Sequence, residues 1–270
     1  MEFEIRNSGV SVRVSEKASE ITSFRDEATG IEYMWQGDPA FWSGRNPTLF
    51  PMVGSTYDKK IRINGKVYEM GNHGFTRHSM FTCIAHTEDT IVNQLRDSEE
   101  TLAQYPFHFC MTIRYTLKDR TLCVDYTLEN TGTETMPFHF GLHPAFNCPL
   151  EDTKPQSAYC LELNETDLVE GVMSSRIELD REKLERTIII DHPKTTVTRL
   201  TDGTHGVEVE AHGYDWLAFW SAKNAPFVCI EPWMSHTDFE PVECDYAERE
   251  GAILLPAGDT WHKSYTITIF

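Results

Sequence analysis

Apolar and polar positions alternate with period two along most of the chain, the pattern of strands that bury one face. Met111, Ile113, Tyr115 and Leu117 fall on one side, with Thr112, Arg114 and Thr116 between them. After the polar stretch Lys118-Asp119-Arg120, Leu122, Val124, Tyr126 and Leu128 repeat the alternation, which predicts a hairpin. A second hairpin is predicted where Ile61 and Ile63 lead into Asn64-Gly65 and then Val67-Tyr68, because Asn-Gly tolerates the positive φ angles of a type I′ turn. Val10, Val12 and Val14, Val207 and Val209, and Tyr265, Ile267 and Ile269 extend the pattern from one end to the other. Helical periodicity is nearly absent: Asp97 to Tyr105 reads as a short helix stopped by Pro106, and Asp180 to Leu184 as a turn. Pro149 to Ser175, the least regular stretch, reads as a long excursion over the surface. No repeat, low-complexity tract or flexible linker divides the chain. The expectation is one all-β domain over residues 1–270, a large antiparallel β-sandwich with minor short helices.

Composition narrows the partners. The 270 residues carry 24 basic and 42 acidic side chains, a formal charge of −18. Such a surface repels polyphosphate and anionic lipid, so neither nucleic acid nor membrane is expected as a partner. The start, Met1-Glu2-Phe3-Glu4-Ile5, has no basic or long apolar segment, which reads as cytoplasmic. The seven cysteines include no C-x-x-C pair and read as reduced, core-type residues. Nothing in the sequence sets the oligomeric state.

Three segments break the alternation with residues a sheet does not need. Glu231 ends the apolar run Val228-Cys229-Ile230, and Pro232 holds it in an extended conformation. A carboxylate so fixed suits a general base, although this segment alone favours a structural ion pair. His143 has the same grammar, Gly141-Leu142-His143-Pro144, and an imidazole that titrates near pH 6.5 suits a general acid. A satisfied structural histidine is the plainer reading of most of the 11 in the chain. His139 and His143 have an H-x-x-x-H spacing, but Gly141 and Pro144 oppose the helix a zinc motif of that kind uses, so no metal is expected. In the third segment His73 and Arg77 offer two donors within one loop, which with Phe75, Trp220 and Trp233 would suit a sugar: ring faces for its C–H surface, polar tips for its hydroxyls.

Leu49-Phe50-Pro51-Met52-Val53-Gly54, His73-Gly74-Phe75-Thr76-Arg77, His143-Pro144-Ala145-Phe146-Asn147 and Ile230-Glu231-Pro232-Trp233 stand in this order over nearly the whole chain. As a set they resemble the aldose 1-epimerase (galactose mutarotase) superfamily, in particular its LacX-like branch. The resemblance implies a β-supersandwich, a sugar substrate and no cofactor. It also implies Glu231 as general base, His143 as general acid and His73 as a second substrate-binding histidine. Ser55 stands where the family often has an arginine, which leaves Arg45 or Arg77 as the substrate-contacting cation, and Asp215 is the nearest candidate for the family's binding aspartate.

The expected reaction is interconversion of the α and β anomers of an aldohexose. Glu231 and His143 would approach from opposite sides of one pyranose-sized hollow. Activity would then fall in acid as Glu231 protonates, and in alkali as His143 loses its proton. Three other readings stay open. One is a sugar-binding or sensing protein without catalysis. Another is a glycoside hydrolase or lyase, which normally needs two carboxylates, with Asp238, Glu240, Glu243 and Asp245 read as a solvated loop. The last is a hexose 6-phosphate mutarotase, for which Arg45, Lys59, Lys60 and Arg62 would be the cations.

Overall fold

Val228 and Ile230 turn toward the main hydrophobic core, while Cys229, Glu231 and Trp233 on the same strand turn away from it. This two-faced strand, Phe227–Trp233, lies within a six-stranded sheet in the computed structural model, which describes residues 1–151 and 153–270. From the edge inward, the sheet runs Ile188–Asp191, Trp216–Trp220 and Phe227–Trp233. It continues through Gly141–Leu142 to Thr48–Leu49, with Ala145–Asn147 also pairing with Phe227–Trp233.

Against its core face packs a nine-stranded antiparallel sheet that contains the predicted hairpin, Phe109–Lys118 with Thr121–Asn130. Lys118 pairs with Thr121 across the two-residue turn Asp119-Arg120. Leu122, Val124, Tyr126 and Leu128 are buried as the alternation predicts, and Tyr126 reaches the facing sheet, its ring 5.0 Å from that of Phe140. Thr260–Ile269 and Gly206–Glu210 continue the sheet on one side, Thr90–Arg96 and Thr82–His86 on the other. The N-terminal strands Glu2–Asn7, Val10–Ser15 and Ile21–Asp26 form a separate three-stranded sheet that feeds Ile5, Val12 and Phe24 into the same core. The second predicted hairpin is Lys60–Ile63 with Lys66–Glu69, and both turn residues, Asn64 and Gly65, have positive φ.

The pattern misjudged three places. Pro149 to Ser175 is not a surface excursion, Asp152 lying outside the described residues. It contains Cys160–Val169, a ten-residue strand of the nine-stranded sheet, whose alternation is interrupted by a register shift between Glu162 and Asp167. Asp180 caps a helix, Arg181–Arg186, by accepting from the N–H groups of Glu182 and Lys183. The other helix, Glu99–Gln104, sits where expected, capped by Ser98. The acidic run after residue 237 is solvated at Glu240 and Glu243 as expected, but it is tied down at Asp238 and Asp245. Asp238 forms a buried ion pair with Arg249 and accepts the Tyr57 N–H. Asp245 accepts the N–H groups of Asn64 and Ala247. All seven cysteines are free thiols, four of them buried. No helix of the described residues is long and apolar enough to cross a membrane.

Candidate active site

Register builds the site. Gly141 lies opposite Trp233, and Ala145 lies opposite Cys229. Counting inward from both pairs puts His143 opposite Glu231 on the face turned away from the main core, since alternate residues of paired strands share a face. Pro144 has no N–H for the ladder but its carbonyl accepts from Ile230, which keeps the two strands together through the break. His143 Nε2 and Glu231 Oε2 are 3.3 Å apart. On the other side of Glu231 the paired residue is Ala218, which has too little side chain to cover the carboxyl. Gly141 leaves room for the neighbouring indole, because a Cβ there would stand 2.9 Å from Trp233 Cδ1.

A cavity of about 450 Å³ opens above the pair, within the range of small-molecule sites. Trp42, Trp220 and Trp233 form its apolar walls, and Asn72, His73, Arg77, Thr187 and Thr237 its polar rim. Trp42 stacks on the His143 ring at 4.7 Å between centroids, while Trp220 meets the same ring edge-on at 5.6 Å. The imidazole is thereby fixed in orientation by packing.

His73 is set by two zipped segments. Its N–H donates to the Gly54 carbonyl, the Gly54 N–H donates to His73 Nδ1, and Thr76 donates to the Phe50 carbonyl through both its N–H and its hydroxyl. Because Nδ1 accepts, the ring proton belongs on Nε2, leaving His73 a neutral donor. Burial and the Arg77 guanidinium push its pKa down to about 3. Gly54 itself must be a glycine: it has positive φ, and a Cβ would overlap Thr237.

Burial sets the charge state of the central pair. It holds Glu231 well above the usual carboxylate range, opposed by the Trp233 indole. It holds His143 well below 6.5, assisted by His73 and Arg77. The two titrate as a unit, and over a wide middle range the unit carries one proton.

Of the residues singled out in the sequence, His73, Arg77, His143, Trp220, Glu231 and Trp233 surround this one cavity. Arg45 and Asp215 do not line it. The Arg45 N–H donates to Glu20 and its guanidinium lies against Gly37, outside the cavity lining. Asp215 is exposed, and its backbone carbonyl accepts from His192. Lys59, Lys60 and Arg62 are likewise outside the lining, Arg62 being paired with Asp58. Phe75 is a core residue. His139 is buried against Tyr246, apart from His143. The catalytic candidates do not face each other across the hollow but lie side by side on its floor. Trp42, Thr187 and Thr237 escaped the sequence reading. Trp42 alone carried a signal, a large aromatic in a loop of Gly, Pro and Asp.

A family model described as "Aldose 1-epimerase" matches residues 1–268. The chain belongs to the aldose 1-epimerase family. Its LacX-like branch is marked by "Protein LacX, chromosomal" of Lactococcus lactis, 28% identical, with 100% of this chain and 99% of the relative aligned. Among solved structures, a galactose mutarotase-like protein from Lactobacillus casei superposes with a TM-score of 0.93 at 26% identity, covering 100% of both chains. A galactose mutarotase related enzyme from Lactobacillus acidophilus gives 0.92 at 27% identity, covering 100% of this chain and 97% of that one. The aldose 1-epimerase fold thus extends over the whole chain.

Proposed function

We propose that the protein is a cofactor-independent mutarotase that interconverts the α and β anomers of an aldohexose. The observation that carries this reading is the His143–Glu231 pair, 3.3 Å apart on the floor of an aromatic-walled cavity. Mutarotation moves two protons at oxygens attached to the same carbon: one leaves the anomeric hydroxyl, the other arrives at the ring oxygen. Adjacent groups suit that task better than groups on opposite walls. Glu231 takes the hydroxyl proton while His143 delivers one to the ring oxygen, and the C1–O5 bond breaks. The aldehyde turns about its bond to the next carbon, and the steps reverse on the other face.

Proton bookkeeping closes on one proton. The ring-closed sugar is attacked by ionised Glu231 beside protonated His143; opening leaves both groups neutral, the form that burial favours. The empty pair therefore rests neutral and must pass its proton from Glu231 to His143 when sugar enters. His73 Nε2–H and Arg77 donate to the oxygens of the open chain. The tryptophans bind the C–H faces of the ring.

A pH dependence follows, with its sign. The active unit holds one proton. In acid it gains a second, and that proton goes to His143, whose low pKa puts the limb below the ordinary 6.5. In alkali it loses its only proton, which belongs to Glu231 and is held well above the ordinary carboxylate value. The limbs thus exchange owners relative to the sequence expectation. Initial rates across pH, corrected for the spontaneous reaction, should give a broad plateau, and an acid limb centred above 6.5 would contradict this assignment.

The function itself is tested by polarimetry or NMR on freshly dissolved α-glucose, α-galactose and their 6-phosphates. Accelerated equilibration of at least one free hexose is expected. Saturable binding without acceleration would make the protein a sugar binder. Among the described residues the cavity lining contains no carboxylate besides Glu231, which leaves a two-carboxylate hydrolase without a second group there.

A further inference from the structure

Beneath the catalytic pair lies a third donor that mutarotation does not use. Cys229 precedes Glu231 by two residues on the same strand face, opposite Ala145, and its thiol is buried. One ligand atom each from His143, Cys229 and Glu231 falls within 4.8 Å of the other two. Glu231 Oε2 makes no hydrogen bond despite its 3.3 Å approach to His143 Nε2, because the atoms are close without being aligned for one. That spacing has another meaning. Two nitrogen and oxygen ligands on one tetrahedral zinc ion stand about 3.4 Å apart, and a thiolate stands about 3.6 Å from either.

We propose that the floor of the cavity is an inhibitory zinc site, in which Zn²⁺ held by His143 Nε2, Glu231 Oε2 and Cys229 Sγ excludes the sugar. The donor set suits the ion. A neutral imidazole, a carboxylate and a thiolate bring two negative charges, so the occupied floor is electrically neutral where burial penalises net charge. Imidazole, carboxylate and thiolate are the ligand types zinc takes, and softness favours zinc over magnesium or calcium. Three protein ligands would leave the fourth position of a tetrahedral ion for water. His143 cannot rotate away, being clamped between Trp42 and Trp220. Binding displaces the protons of Glu231 and Cys229, so affinity rises with pH. Inhibition rests on the mutarotase reading above, whereas metal binding and sugar exclusion do not.

The test starts from chelator-treated protein titrated with Co²⁺, a spectroscopic substitute for zinc. One equivalent is expected to give tetrahedral visible bands with a thiolate-to-cobalt charge-transfer band, both lost on adding Zn²⁺ and weakened by excess galactose. Zn²⁺ should also stop anomerisation, with recovery on adding EDTA. Cys229→Ala should keep anomerisation within about twofold, lose the charge-transfer band, and bind zinc roughly a hundredfold or more weakly, since a direct ligand counts for at least as much as an outer-shell partner. Cys229→Ser serves as the second variant should the alanine form fail to fold. Absence of the thiolate band in the wild type, unchanged zinc sensitivity in the cysteine variants, or zinc that speeds the reaction would each overturn the proposal. Sugar-displaceable cobalt without any anomerisation would leave the metal site standing and sink the mutarotase reading instead.

Discussion

Glu231→Gln is expected to lower the turnover of anomerisation by about 10²–10⁴-fold while sugar binding survives. Glutamine keeps the volume and the hydrogen-bonding reach of the side chain but takes no proton, so the anomeric hydroxyl has no base. The carboxyl lies beside His143 on the cavity floor, and among the described residues no other carboxylate lines the cavity to replace it. His143→Asn should cost a comparable factor, for the ring oxygen then has no partner to protonate it. The double variant should be little slower than either single one, because base and acid act on the same bond-breaking event and their losses do not add. Progress curves followed by polarimetry, with sugar affinity measured separately by calorimetry, decide the matter. Near-normal turnover in either single variant would remove the assignment.

Gly74→Ala is expected to destabilise the fold by roughly 2–4 kcal/mol and to abolish the site with it. Gly74 has a φ of +68°, and a Cβ there would stand 2.3 Å from the Phe50 carbonyl oxygen, a backbone atom that cannot swing aside. Relief would require Leu49–Gly54 to part from Asn72–Arg77, and His73 would lose its bonds to Gly54. Gly65→Ala is the control. It has nearly the same φ, +75°, but nothing lies within 4 Å of its added Cβ, so only the conformational cost of about 1 kcal/mol remains. Urea denaturation of the two variants should therefore differ by at least the cost of the close approach. Equal midpoints would show that the contact with Phe50 is not the constraint we take it to be.

Local chemistry makes much of this molecule legible in its sequence. Alternation along 109–128 predicted both the long hairpin and its buried side, because exposing Leu122 or Val124 to water costs the same wherever the strand sits. Asn64-Gly65 specified its turn through backbone sterics alone. Pro144 and Pro232 stand directly after His143 and Glu231, and of the two only Pro144 interrupts a strand, Phe227–Trp233 running on through Pro232. The failures had local causes too. Cys160–Val169 was hidden by its irregular register, and the acidic loop looked solvated because nothing in the sequence shows that Arg249 and Tyr57 reach Asp238.

What the sequence determined by itself was the class of architecture and the small set of side chains able to do acid–base chemistry on a sugar. Tertiary structure alone decided that His143 lies opposite Glu231 rather than across the cavity from it, that Arg77 and not Arg45 lines the hollow, and that Trp42 comes from a distant loop to stack on the imidazole. The reason is physical. Periodicity and turn preference depend on residues a few places apart. The pairing register of strands nearly ninety residues apart depends on how the whole core packs, and a shift of one residue would turn Glu231 into the apolar interior.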